Sequence, residues 1–509
     1  MRRRQFLTAL PGLAATTGLL KSANGYAGTD SWQAQFAAAL AQDPSLLGFR
    51  TASAPAFDSQ ATVEGKIPTD LSGTLFRNGP ARHEIGNFRY HHWFDGDGMI
   101  QAFRISPDRI THRGRMVATR KYLAELDAGR ALYPGFATVP PNPAPVTSPD
   151  QVNVANISVL PHHGKLYALW EAGSPWEIDP DTLETQGLHR FADAAGETGL
   201  TAGLPFSAHP RIEPDGTLWN FGYLSTVGKL VFWHIDAAGV VKKVGAIDCE
   251  PMTMPHDFVV TARHLIMLLP PFNFTALSQT STFLDAHQWQ PEKATRVLVV
   301  DKNDFSQYRF LELPAQWVFH YGNAWEDESG VIRFDAARAP DPLTMTDSVR
   351  AVMKGIRRDS GQTTHYQYRI DTRSWTVSEQ PLLTGIDSEF PAIDPRVSCN
   401  RYSQVVMLTS ERDNPSHHGM LNAVSRFNLD TGQLDSFRYP DTIIPEEHIF
   451  VPKPDSAYES AGWIVGTALN YHSGSTELRI FDAENLSDGP QATARLPYAL
   501  PLGLHGKFV

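Results

Sequence analysis

Apolar residues fall in short β-type runs along the whole chain, separated by polar turn residues. Each run mixes β-branched and aromatic side chains and closes on turn chemistry. The pattern predicts strands at 217–221, 229–235, 265–269, 296–300, 365–370, 423–429, 463–468 and 477–481. Strand ends share one form, an apolar residue, then Asp, then a turn. It occurs at Ile178-Asp179, Ile235-Asp236, Val300-Asp301, Ile370-Asp371, Leu429-Asp430 and Phe481-Asp482, with Ile105-Ser106-Pro107-Asp108 as a looser seventh case. Asp suits the position because its carboxylate accepts a backbone N–H two residues on. A strand-rich unit returning about every 60 residues is expected of a propeller blade with decorated loops. Seven units imply seven blades, so the predicted fold class is all-β, a seven-bladed β-propeller.

Helix is scarce in the same reading. The best candidate follows Thr119 and covers 121–128, stopped near Gly129 and Pro134. The Pro-rich stretch 139–149 reads as a loop. So does the apolar stretch 270–283, either as a lid or tunnel lip or as a loop packed on its own scaffold.

Composition narrows the class. Of 509 residues, 42% are hydrophobic and 19% charged, which supports a sizeable core and excludes a disordered chain. A formal net charge of −11 argues against a nucleic-acid partner. Cys249 and Cys399 make no disulfide framework; one bridge and two buried free thiols are both open, the thiols being favoured. At the N-terminus, Arg2-Arg3-Arg4 precede Gln5-Phe6-Leu7 and an apolar stretch to Leu20, and Gly25-Tyr26-Ala27 is a cleavage candidate. Residues 1–27 resemble a twin-arginine export signal, which leaves 28–509 as a single propeller domain and implies a periplasmic protein. The apolar stretch is too short for a good membrane span.

Four of the 19 histidines stand out by context. They are His209 in Ser207-Ala208-His209-Pro210, His256 in Met254-Pro255-His256-Asp257-Phe258, His320 in Phe319-His320-Tyr321-Gly322-Asn323, and His505 in Gly503-Leu504-His505-Gly506. They lie so far apart that only a closed fold could gather them. Spacing alone leaves two readings open, a shared metal site and four separate structural histidines.

Further motifs carry a family resemblance. Gly65-Lys66-Ile67-Pro68, Gly73-Thr74-Leu75-Phe76-Arg77-Asn78-Gly79-Pro80 and Phe94-Asp95-Gly96-Asp97-Gly98-Met99, with the four histidine contexts, resemble the carotenoid cleavage oxygenases. That family includes carotenoid, apocarotenoid and lignostilbene dioxygenases and the retinoid isomerohydrolase, and the likeness runs from Ile67 to Phe508. It implies a seven-bladed propeller with a loop-and-helix cap over a central metal site. It also implies that His209, His256, His320 and His505 are the ligands of one iron. Three glutamates in matching motifs are implied as hydrogen-bond partners of three ligands: Glu171 in Leu169-Trp170-Glu171-Ala172-Gly173, Glu389 in Glu389-Phe390-Pro391, and Glu447 in Glu447-His448-Ile449. A histidine that ligates through Nε2 needs an acceptor for its Nδ1–H, which fixes tautomer and ring angle. Glu446 competes with Glu447 for the third role, and motif register favours Glu447. Lys121 stands where a lysine resembles the phenol-binding lysine of lignostilbene enzymes; a solvated lysine at a helix start is the alternative.

Imidazole suits iron, zinc and copper alike, so the resemblance and not the ligand set selects Fe(II). The sequence shows no dinucleotide, flavin or 2-oxoglutarate signature, so the electrons for O₂ must come from an electron-rich alkene. The expected reaction is oxidative cleavage of a carotenoid or apocarotenoid C=C bond to two carbonyl products, with no catalytic residue beyond the metal centre. Residues 77–99 lean towards the carotenoid-cleaving members. The alternatives are a stilbene- or phenylpropanoid-cleaving dioxygenase and a non-catalytic or isomerising propeller. Expected partners are a hydrophobic conjugated substrate, O₂ and a peripheral membrane contact, with no nucleic acid.

Overall fold

Every recurrent Asp turn marks the same place in the architecture, the end of the third strand of a blade. The computed structural model describes residues 31–509 apart from 200, 278–280 and 359–361. The segment 1–27, expected from sequence to be an export signal, therefore lies outside the described residues. Seven antiparallel sheets of four or five strands form the blades of a propeller. From the first blade to the seventh, the innermost strands are His505–Phe508, Ser158–His162, Arg211–Ile212, Val259–Val260, Trp317–Glu326, Ile386–Ala392 and Ile443–Pro452.

The turn chemistry follows the expectation at five of the six ends. Asp179, Asp236, Asp301, Asp371 and Asp482 each accept the backbone N–H two residues on. At the sixth, Asn428 takes the role and accepts from Asp430 itself, so Leu429-Asp430 was the wrong pair. Asx turns need only a short side-chain acceptor at the strand end, which Asn supplies as well as Asp.

The ring is closed by both ends of the described chain. Thr62–Gly65 adds a fifth strand to the seventh blade by pairing with Ala492–Arg495. His505–Phe508 becomes the innermost strand of the first blade by pairing with Gly73–Arg82. Middle strands are buried on both faces because blades stack face to face. Val297, Leu298, Val299 and Val300 are successive and all fully buried, and one cluster joins Ile266 and Leu268 of the fourth blade to Ile332 and Phe334 of the fifth. Such strands read as continuous apolar runs.

The helix expected at 121–128 spans Arg120–Ala128. The Thr119 side chain caps it by accepting from Tyr122 N–H, and Gly129 ends it at φ +63. The stretch 270–283 is not a plain loop: Phe272–Phe274 pairs with His287–Trp289 as a two-stranded ribbon. Cys249 and Cys399 are buried and unbridged, and burial pushes the Cys399 thiol up to about 11. No helix among the described residues is long and apolar enough to cross a membrane.

Candidate metal centre

Inner strands aim residues at the propeller axis, and four histidines meet there. His209 lies two residues before the inner strand of the third blade, and His256 three residues before that of the fourth. His320 sits within the inner strand of the fifth blade, and His505 begins that of the first. One ring nitrogen from each lies within 4.8 Å of the others. Ring centroids are 4.5 Å apart for His209 and His256, and 4.8 Å apart for His320 and His505.

Carboxylates stand behind three of them. His256 Nδ1 is 2.7 Å from Glu171, His320 Nδ1 is 2.6 Å from Glu389, and His505 Nδ1 is 2.8 Å from Glu447. An ionised carboxylate only accepts, so each Nδ1 carries the proton and donates. Each Nε2 is then left with its lone pair. The His209 ring contacts His256 Nε2 at 2.9 Å, its backbone N–H donates to Ser207 Oγ at 3.3 Å, and no carboxylate hydrogen-bonds it among the described residues. Burial, then the three neighbouring rings, holds His209 well below the ordinary histidine pKa.

Local backbone irregularity does the aiming. Register shifts interrupt the inner strands around His320, between Glu389 and Ala392, and between Pro445 and His448. Such bulges re-aim side chains that regular pleating would turn elsewhere. Phe390 has φ +57, a left-handed conformation that a bulky residue adopts only under constraint. That conformation accompanies donation of its own N–H to Glu389 Oε2 at 2.6 Å. Its ring lies 5.3 Å from His320 at 27° and 5.4 Å from His505.

Adjacent Glu446 and Glu447 diverge. Glu447 accepts from Gly506 N–H at 2.6 Å as well as from His505. Glu446 turns to Gly503 N–H at 2.5 Å and Arg77 at 3.4 Å. We expect Glu447→Gln to weaken metal retention by roughly ten- to a hundredfold. Glu446→Gln should instead cost about 1–3 kcal/mol of stability, because the buried Arg77 loses its counter-charge. Metal titration alongside denaturant unfolding reads both, and the reverse ranking would assign the role to Glu446.

Lys121 is the residue whose surroundings differ most from expectation. It is 1% exposed, not solvated. Its ammonium donates to Tyr90 Oη at 2.7 Å, Glu125 at 2.9 Å and Asp97 at 3.2 Å. Arg82 joins the same cluster, at 2.7 Å from Asp97 and 3.0 Å from Glu125. Burial works against the charge on Lys121, but Asp97, Tyr90 and Glu125 outweigh it and raise the pKa.

Sequence reasoning missed two residues that organise the centre. Arg211, two residues after His209, donates to Asp257, Phe258 O, Tyr321 O and Gly322 O at 2.6–3.1 Å. It thereby ties the third blade to the segments carrying His256 and His320. Asp257 also accepts from Tyr321 N–H at 3.0 Å. Both lie in or beside the histidine motifs, and that proximity was the only signal available.

The residues fit a metal ion. Four ring nitrogens converge within 4.8 Å of one another, and His320 Nε2 is buried with no hydrogen-bond partner among the described residues. Neutral imidazoles with carboxylate-held Nδ1–H groups are the usual donor set of such a centre.

Comparison with known proteins agrees with the fold. The family described as Retinal pigment epithelial membrane protein matches residues 51–509. Apocarotenoid-15,15'-oxygenase of Synechocystis is 30% identical, over 88% of this chain and 92% of its own length. Isoeugenol monooxygenase of Pseudomonas nitroreducens is 28% identical, over 92% of this chain and 98% of its own. A crystal structure of cobalt-substituted Synechocystis apocarotenoid oxygenase superposes with a TM-score of 0.81 at 27% identity, over 92% of this chain and 98% of that one. The chain belongs to the carotenoid cleavage oxygenase family and is a carotenoid-cleavage-type dioxygenase.

Proposed function

We propose that this enzyme holds one Fe(II) on His209, His256, His320 and His505 and cleaves a C=C bond of a carotenoid or apocarotenoid with O₂, giving two carbonyl products. The observation that carries the metal assignment is the set of inward imidazoles, three of them backed by Glu171, Glu389 and Glu447. When bound, iron(II) supplies a centre at which O₂ can accept electrons from the alkene. The chain's own part is to fix the imidazoles, hold the Nδ1 protons of His256, His320 and His505 on carboxylates and exclude water around the alkene.

A run of aromatic side chains supports the long-polyene reading. Half-buried Phe94, Phe136 and Phe283 form a chain with centroids 6.1–6.3 Å apart, and Phe319 lies 5.3 Å from His256. We assign these aromatics to the grip on a conjugated substrate, at about 25 cal/mol per Å² of apolar surface buried. Lys121 argues against a phenol site, since its three N–H donors already have acceptors. A phenolic alkene is the second reading, favoured by the likeness to isoeugenol monooxygenase.

The test is iron-loaded protein incubated with apocarotenoids, 4-hydroxystilbenes and isoeugenol, with products read by mass spectrometry and kcat/KM compared. We expect apocarotenoids to be cleaved with the highest kcat/KM. A preference for either phenolic class would transfer the assignment to the second reading.

A further inference from the structure

The three carboxylates behind the histidines are not anchored alike. Glu389 takes a second hydrogen bond from the backbone N–H of Phe390, and Glu447 takes one from the backbone N–H of Gly506. In both cases the donor is the next residue after the glutamate or its histidine, so it comes with the strand. Glu171 lies on a turn just beyond the strand Lys165–Leu169. Its Oε2 faces His256, and its Oε1 accepts from the Tyr223 hydroxyl at 2.6 Å. Tyr223 belongs to another blade, on the strand Leu218–Leu224.

From this difference we infer that Tyr223 is a positioning residue for the metal centre, acting through Glu171 on His256. The inference rests on the four-histidine metal assignment proposed above. Burial, then the Glu171 charge, raises the Tyr223 pKa well above the ordinary value, so the phenol stays protonated and donates. A carboxylate held at both oxygens cannot rotate away from the imidazole. One held only by His256 can, and the ring angle and basicity of His256 then follow it. Tyr223 also packs against Phe283, at 6.4 Å between centroids, so the same side chain touches the aromatic chain outside the centre.

The experiment is titration of the metal-free protein with Co(II), followed by visible absorption, for wild type, Tyr223→Phe, Glu171→Gln and the double variant. Tyr223→Met, which also lacks the hydroxyl, replaces Tyr223→Phe if the latter does not fold. Tyr223→Phe should weaken Co(II) binding by about tenfold and shift the absorption bands. In the Glu171→Gln background the same change should add less than about twofold, since the two residues act as one unit. Unchanged affinity and spectrum in Tyr223→Phe would overturn the inference. So would an equal loss in both backgrounds, which would mean that Tyr223 acts by packing and not through Glu171. If wild type itself takes up no Co(II), the metal assignment fails first, and that outcome is distinct from the other two.

Discussion

His320→Ala should abolish tight metal binding and lower turnover by about three orders of magnitude. A metal centre contributes several kcal/mol of transition-state stabilisation, and about 4 kcal/mol corresponds to a thousandfold in rate. His320 is the sharpest test because its Nε2 is buried without a partner while its Nδ1 is held by Glu389. No hydrogen-bond donor among the described residues reaches that nitrogen. His256→Ala and His505→Ala should behave similarly, since each loses a ring backed by a carboxylate. His209→Ala should weaken the site least, because no carboxylate raises the basicity of that ring. Metal content after dialysis against a chelator and single-substrate turnover would measure all four. Full metal and full turnover in any variant would remove that residue from the ligand set.

Lys121→Ala should destabilise the protein by about 3–5 kcal/mol, the usual cost of removing one partner from a buried ionic cluster. Two carboxylates, Asp97 and Glu125, would then face Arg82 alone, and all three side chains are at least nine-tenths buried. Equilibrium unfolding by denaturant reads the loss, and a change below about 1 kcal/mol would contradict the cluster as drawn. The alanine variant is consequently a poor probe of phenol binding, because it perturbs the fold as well. The balanced pair Lys121→Met with Glu125→Gln removes one charge of each sign and should recover most of the stability. On the carotenoid reading, that pair cleaves apocarotenoids within a few-fold of wild type.

The strand pattern was legible because its causes are local. The run expected at 229–235 is the strand Lys229–Ile235, and that at 423–429 differs from Ala423–Asn428 by one residue. The helix after Thr119 was legible for the same reason, its cap and its stop each being set within a few residues. Five Asx turns followed from one side chain and one N–H two positions away. Asn428 in place of Asp430 shows the limit of that rule, since two adjacent residues can compete for a single turn.

The gathering of the centre was decided by ring closure. Glu389 and Glu447 serve histidines of adjacent blades, His320 and His505, whereas Glu171 of the second blade reaches past the third to His256 of the fourth. No spacing in the chain encodes that difference. The surroundings of Lys121 were hidden for a related reason: its helix position is local, but burial depends on Tyr90 and Asp97, which come from segments before the helix. Arg211 and Tyr223 are ordinary in sequence and gain their roles only from neighbours contributed by other blades. By itself, then, the sequence determined the strands, turns and repeat, which depend on φ/ψ preference and short-range hydrogen bonds. Only the tertiary structure decided which carboxylate meets which imidazole, because each such contact joins side chains of different blades that the folded ring alone brings together.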